Sequence, residues 1–245
     1  MSAAPARINH QPALLLSATP WRESSLLAEL FSRDYGRVCV VARSARKRQS
    51  ELRGVLVPFV PVSVSWYGNQ EIKTLHRAEW LGGWPQPQGR ALFSALYANE
   101  LVLKLTARED PHPPLYDALA EVLRHIAGDN TAAALRRFEW QLLRELGFAP
   151  DIGRDEHRQP IDADARYWLR PEHTPVRLEA SGPPPADGIC VHGRTLLALA
   201  QHGGHDTRTA QEALQLTRML LDFRLPGGIH SRRILQQLNA YARAV

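Results

Sequence analysis

Through the first eighty positions of the chain, apolar residues alternate with polar ones or gather in short runs. Residues 11–18, 24–32, 37–43, 55–66 and 71–80 are rich in Val, Leu and aromatics, the residue types that pack well on a pleated sheet. Turn material separates them: Thr19-Pro20, Asp34-Tyr35-Gly36, the polar run 44–54, and Tyr67-Gly68-Asn69-Gln70. Val60, Val62, Val64 and Trp66 fall two apart, so they share one face of a strand while Pro61, Ser63 and Ser65 take the other. Five strands in about seventy residues predict a small closed barrel. An OB-fold and an SH3-like barrel both fit the spacing, and the OB-fold is the five-stranded barrel that habitually binds nucleic acid.

Helical spacing takes over downstream. Leu115, Leu119, Val122, Leu123 and Ile126 make a stripe that faces a core, with Gly128 placed to end the helix. A helix over 131–146 carries Leu135, Phe138, Leu142 and Leu146 on one face and stops at Gly147, with Pro150 just beyond. The segment 88–108 is apolar nearly all round, which predicts a buried central helix. Residues 150–188 break the pattern with acids, glycines and Pro183-Pro184-Pro185, and only 166–170 and 175–179 resemble short strands, suiting a small hairpin. Helices resume at 194–201, 209–223 and 231–242. Thr209 with Glu212 reads as a capping box, and Ala213, Leu216, Leu220 and Phe223 as the core face of that helix. The pattern therefore predicts an α+β chain of two domains: a five-stranded OB-fold barrel over 10–82, then a helical domain over 83–245 with an irregular insertion at 150–188.

Charge is unevenly distributed along the chain. Residues 1–80 hold eleven Lys and Arg against six acids, and positions 81–245 hold nineteen of each, so the net charge of +5 belongs to the barrel. One module is built to meet a polyanion and the other is not. Within the barrel, Arg43, Arg46, Lys47, Arg48 and Arg53 crowd one loop, and such side chains neutralise phosphates without demanding a base sequence. Arg33, Arg37 and Lys73 extend the candidate track. Trp21, Tyr35, Trp66 and Tyr67 are candidate stacking faces, or core residues.

A second candidate site is Gly227-Gly228-Ile229-His230-Ser231-Arg232-Arg233. A Ser N-cap followed by two arginines in a first turn is unfavourable against the helix dipole, and makes sense if an anion docks at the helix N–H groups and guanidinium forks. Arg218 and Arg224 join Ile229, His230, Arg232 and Arg233 as a candidate site for an acidic peptide with apolar side chains.

Other chemistry is poorly supported. Cys39 and Cys190 belong to no C-x-x-C pair, so neither a disulfide framework nor a thiolate zinc site is expected. His202 and His205 have ligand spacing, but Gly203-Gly204 between them opposes a helix and favours a loop. No Walker A motif is present, so no nucleotide cofactor is expected. Asp155, Glu156, Asp162 and Asp164 define the alternative, a metal-dependent nuclease. A scaffold that meets an acidic protein through its basic barrel is a third reading. No apolar run suits a membrane span or a secretory signal, so a cytoplasmic location is expected.

Several short motifs, in order, resemble the RecO family of recombination mediators. Pro20-Trp21-Arg22-Glu23-Ser24-Ser25-Leu26, Phe31-Ser32-Arg33-Asp34-Tyr35-Gly36-Arg37, Ala42-Arg43-Ser44-Ala45-Arg46 and Leu56-Val57-Pro58-Phe59 resemble its N-terminal barrel. Tyr97-Ala98-Asn99-Glu100-Leu101, Leu135-Arg136-Arg137-Phe138-Glu139 and Leu146-Gly147-Phe148 resemble its helical signatures. The resemblance implies an OB-fold joined to a helical domain, binding and annealing of single-stranded DNA, and no enzymatic activity. It also implies partnership with RecR, binding of the acidic tail of the single-strand DNA-binding protein, and through these the loading of RecA. Two features depart from the family. The four cysteines that many relatives carry in the region matching 150–188 are missing, so no zinc is expected. The family's Leu-Gly-Gly-Lys-x-Leu-Lys-Ser-Arg stretch reads Leu225-Pro226-Gly227-Gly228-Ile229-His230-Ser231-Arg232 here; His230 replaces one lysine and the other is lost, and His230 would make tail binding depend on pH between 6 and 8.

Overall fold

The structure is a computed structural model that describes residues 7–178, 187–201 and 206–244, without the side chains of 239 and 242–244. His202, His205 and Pro183-Pro184-Pro185 lie outside the described residues. In chain order the elements are β1 (Arg7–Trp21), β2 (Ser25–Ser32), β3 (Gly36–Ala42), α1 (Leu52–Val55), β4 (Pro61–Tyr67), β5 (Ile72–Trp80), α2 (Arg90–Leu105), α3 (Pro113–His125), α4 (Thr131–Glu145), β6 (Arg166–Leu169), β7 (Val176–Leu178), β8 (Ile189–His192), α5 (Gly193–Ala200), α6 (Thr207–Arg224) and α7 (His230–Ala244). The chain forms two compact units, Met1–Thr131 with Ile229–Val245, and Ala132–Gly228. Backbone type changes from strand to helix between Trp80 and Arg90, whereas the first compact unit keeps α2, α3 and α7 together with the strands of the barrel.

In the first unit, β1-β2-β3-β5-β4 close on β1 as a barrel. Neighbours are antiparallel except β3 and β5, which run parallel over Cys39–Val41 and Ile72–Thr74. This is the strand order of an OB-fold. Ala13, Leu15, Ala28, Leu30, Val38, Val40, Val62, Val64 and Trp66 fill the interior. The alternation in 60–66 thus points the way it reads in the sequence. β1 is longer than its apolar stretch because it serves two partners: residues from Arg7 pair with β4 and residues to Trp21 pair with β2, with register shifts at Ile8/Gln11 and Leu15/Ser17. Such irregularities bend a strand enough to close a barrel. The expected strand 55–66 starts only at Pro61. Leu52, Val55 and Leu56 instead turn once as a helix and pack on the barrel core.

Helix α2 was expected to be buried all round, yet Leu96 is 42% exposed and burial is confined to Ala95, Ala98, Asn99, Leu101 and Val102. The Tyr97-Ala98-Asn99-Glu100-Leu101 motif explains this one-sidedness. The Asn99 amide donates to the Leu15 and Leu16 carbonyls at 3.0 and 3.3 Å, where the irregularity in β1 leaves the ladder incomplete. Glu100 faces α7, accepting from the His230 amide (2.7 Å), the Ser231 amide (2.8 Å) and the Ser231 hydroxyl (2.7 Å). Gly36 has φ +65°, and a Cβ there would lie 2.1 Å from the Asp110 carbonyl oxygen, so only glycine lets the 106–110 segment lie against the barrel. That segment is secured by the Glu109 amide donating to the Arg37 carbonyl.

The second unit holds α4, α5, α6 and a three-stranded antiparallel sheet of order β7-β6-β8. The insertion is therefore more ordered than its composition suggests: the 166–178 hairpin exists, and β8 adds a strand hidden among glycine and polar residues. Tyr167, Leu169 and Val191 bury its apolar face. In α4, Glu139 is fully buried and paired with Arg136 at 2.5 Å, while Arg136 also donates to the Thr217 hydroxyl. Gly147 ends this helix at φ +70° as the Phe148 amide turns back to the Leu143 carbonyl. Helix α6 departs from its expected start: Asp206, not Thr209, is the N-cap, and Glu212 accepts from the His192 amide and the Thr195 hydroxyl. Phe223 is 50% exposed, and Thr217 and Leu221 take its place on the buried face. Among the described residues no helix is long and apolar enough to cross a membrane.

Candidate nucleic-acid interface

Strand direction sorts the barrel's cations into two groups. The pairs Trp21↔Ser25 and Leu26↔Ala42 put the β1–β2 turn and the exit of β3 at one end of the barrel. The pair Ser32↔Gly36 and the β4–β5 turn lie at the other end, roughly 20 Å away at about 3.3 Å per residue of strand. Arg43, Arg46, Lys47, Arg48 and Arg53 belong to the first end, and Arg33, Arg37 and Lys73 to the second.

At the first end the loop after β3 is pinned and its charges are outward. Ala45 is 1% exposed and seated in the barrel core, and the Arg46 amide donates to the Ser24 carbonyl at 2.9 Å. The Arg46 guanidinium reaches the carbonyls of Arg22 and Glu23. Turn hydrogen bonds from the Lys47, Ser50 and Arg53 amides shape the rest of the loop. Arg43, Arg46, Lys47, Arg48 and Arg53 are all exposed, and none makes an ion pair among the described residues. Arg22, which the sequence pattern does not single out, is exposed in the adjoining turn at φ +51°. Its nearness to Arg46 depends on the fold and leaves no mark in local composition. Six cations against Glu23 and Glu51 thus surround a rigid loop, an arrangement suited to a string of phosphates.

The second end is neutralised. Arg33 pairs bidentately with Asp117, at 3.0 Å for the shorter contact, and lies 3.5 Å from Asp34; the Asp117 hydrogen bond and charge raise its pKa. Arg37 is bound to Glu29 and the Thr106 carbonyl. Lys73 is buried, with its ammonium on Glu109 at 2.5 Å and the Gln70 carbonyl at 2.6 Å. Arg108 adds ion pairs to Glu29 and Glu71. Arg33, Arg37 and Lys73 are therefore each already paired with a carboxylate, unlike the exposed cations of the first end.

The aromatic candidates divide in the same way. Trp66 is core at 2% exposure, with Tyr35 edge-on to it at 5.4 Å, and Tyr67 contacts His76. Trp21 alone of the four lies at the basic end, 36% exposed. Trp80, 63% exposed at the exit of β5, is a further aromatic that the sequence pattern does not mark.

The second candidate site is also altered. Helix α7 does begin at His230, but its first amides are already filled by Glu100, so they present no vacant anion site. Burial alone would raise the Glu100 pKa; hydrogen bonds from Lys104, Ser231 and His230 outweigh it and hold the carboxyl at about 2. Ile229 is 5% exposed and unavailable to a guest. Arg232 lies over the Tyr97 ring, and Arg233 donates to His230 Nδ1 at 2.8 Å. In the other unit, Arg224 is paired with Glu172 and stacked on Phe148, whereas Arg218 is exposed without an ion pair among the described residues.

The carboxylates of the nuclease alternative are engaged by partners within the second unit. Buried Asp155 accepts from the His157 and Gln159 amides, Asp162 pairs with Arg177, Asp164 with Arg194, and Glu156 lies 3.7 Å from His157. Among the described residues no three His, Cys, Asp or Glu side chains gather as metal ligands.

Comparison with known proteins agrees with the fold. Residues 7–84 match the family model "Recombination protein O N terminal" and residues 86–233 match "Recombination protein O C terminal". The chain is 56% identical over 240 residues to the DNA repair protein RecO of Neisseria meningitidis serogroup B, covering 97% of this chain and 91% of that protein. It shows the same identity to the DNA repair protein RecO of Neisseria gonorrhoeae (strain FA 1090), covering 97% of each. Identity to the DNA repair protein RecO of Aromatoleum aromaticum is 44% over 237 residues, covering 95% of this chain and 97% of that protein.

Proposed function

Because the chain belongs to the RecO family, we propose that it acts in DNA repair as a recombination mediator of the RecFOR type, holding single-stranded DNA on the basic end of its barrel. The observation that carries this reading is the loop after β3: exposed cations without ion pairs, radiating from a backbone fixed by Ala45 and by Arg46. A fixed loop loses little freedom on binding, so its charges act on phosphate with little ordering cost. Contacts to phosphate alone carry no sequence preference, which suits a protein that anneals arbitrary strands. Trp21 would stack on a base beside the phosphate track. Replacing Trp21 with leucine is expected to weaken oligonucleotide binding by about 1 to 2 kcal/mol while leaving the salt dependence unchanged; titration by fluorescence anisotropy at several salt concentrations checks both.

The ion-paired end gives a contrasting expectation. Arg33→Ala and Lys73→Met should each alter the slope of log affinity against log salt by less than about 0.3, because their charges are already neutralised. A change near 0.7 for either would return that residue to the interface.

RecR, and the acidic tail of the single-strand DNA-binding protein, complete the proposed set of partners, with RecA loaded as the outcome. For the tail, the proposal relies on exposed arginines, Arg233 in the first unit or Arg218 in the second, each taken by itself, and not on the start of α7, which Glu100 occupies. Tail peptide binding to Arg218→Ala and Arg233→Ala chains, measured by calorimetry, tests this assignment.

A further inference from the structure

The end of the barrel remote from the basic loop opens into a cavity of about 410 Å³. Its floor is the buried side of the barrel, Trp66 and Val38, and Tyr35 stands edge-on over Trp66 with 38% of its surface exposed. The rim carries Asp34, Asn69 and Glu109. Of the nearby cations, Lys73 is held by Glu109 and the Gln70 carbonyl, and Arg33 by Asp117 with Asp34 at 3.5 Å; three carboxylates meet two cations, so the rim is rich in hydrogen-bond acceptors and slightly negative. An aromatic wall and an apolar floor suit a flat ring, and acceptors at the edge suit ring amines. Negative charge at the same edge disfavours phosphate.

We infer that this mouth is a subsite for a single unstacked nucleobase bearing an exocyclic amine, entered by the ring and not by the sugar-phosphate. The inference rests on the reading of the barrel as a binder of single-stranded DNA, and extends it from phosphate to base. The roughly 20 Å between the two ends lies within the 4 to 16 nucleotides that one such barrel covers, so one strand reaches both. Adenine, cytosine and guanine carry the exocyclic amine that Asp34 or Glu109 would accept from; thymine offers only its N3–H, flanked by two carbonyl oxygens that the carboxylates repel. The subsite therefore discriminates against thymine, which the phosphate track alone cannot do.

Titration of the full chain with free nucleosides, followed by NMR at Tyr35, Trp66 and Gly68, tests this without using phosphate at all. Deoxyadenosine and deoxycytidine are expected to shift these signals, thymidine to bind at least about threefold more weakly, and deoxyadenosine 5′-monophosphate to bind more weakly than its nucleoside. Tyr35→Ala should weaken deoxyadenosine by about fivefold or more and Tyr35→Phe should not, while Asp34→Asn should bring the monophosphate closer to the nucleoside. Arg46→Ala, Lys47→Ala and Arg48→Ala together should leave nucleoside binding intact. If strand binding fails but nucleosides still bind, the cavity stands and the DNA reading falls. Nucleosides that leave these signals unmoved, thymidine binding as well as deoxycytidine, or a monophosphate binding more tightly would overturn the subsite. So would shifts seen only with an arginine-rich peptide.

Discussion

Changing Arg46, Lys47 and Arg48 together to alanine is expected to weaken binding of a single-stranded oligonucleotide by about a hundredfold at roughly 0.1 M salt. Each lost phosphate contact removes about 0.7 from the salt slope, so three contacts remove about two, and two decades of affinity separate roughly 0.1 M from the molar range where counterion release no longer contributes. All three side chains are exposed and carry no ion pair among the described residues, so the thermal transition should move little. The same substitution tests whether charge at this loop is functional or only solvated. A loss below about threefold would mean the latter.

Glu100→Ala should cause the largest loss of stability. Its carboxylate, 13% exposed, accepts from two amides, a hydroxyl and Lys104, so truncation strands several donors at the junction of α2 and α7. The carboxyl is held at about 2 against an ordinary 4.5, a difference corresponding to about 3 kcal/mol. Because the folded value is depressed, the contribution is fully present above about pH 4.5 and is lost as pH falls through about 2. The variant should therefore melt about 6 to 12 °C lower at neutral pH. It should also lack Glu100's share of the acid destabilisation between pH 4.5 and 2, while Asp206 and Glu212, also held below their ordinary values, keep theirs. Glu100→Gln, which keeps the shape and one acceptor, should fall between the two. Equal melting of all three chains at pH 7 would show that the α2–α7 contact contributes little.

The barrel was legible because its core is written locally. Val60, Val62, Val64 and Trp66 alternate, and the turns between strands are marked by Gly, Pro and Asn. Features that depend on distant partners were not legible. The length of β1 comes from pairing with both β2 and β4, and its polar Asn9, His10 and Gln11 gave no sign of that. The 52–57 stretch reads equally as strand or helix, since Leu52, Val55 and Leu56 are also spaced for one helical turn. In the insertion, β8 has only four residues, and its place in the sheet is set by pairing with β6.

Charge behaved similarly. Counting along the chain found the basic module but not its neutralisation, because Glu109 and Asp117, which hold Lys73 and Arg33, lie outside the first eighty residues. At the start of α7 the first amides, and not the arginines, take an internal anion: Glu100, 130 positions earlier in the chain, while Arg233 donates to His230. In both places the fold supplies a carboxylate from within the chain.

Phosphate binding at the basic end is read out by the affinity of the unaltered chain for a single-stranded oligonucleotide across a series of salt concentrations. Five or six cations at one end of the barrel, each meeting a phosphate, predict a slope of log affinity on log salt of about −3.5 to −4. A slope near zero would contradict the account, because no phosphate would then be meeting those side chains.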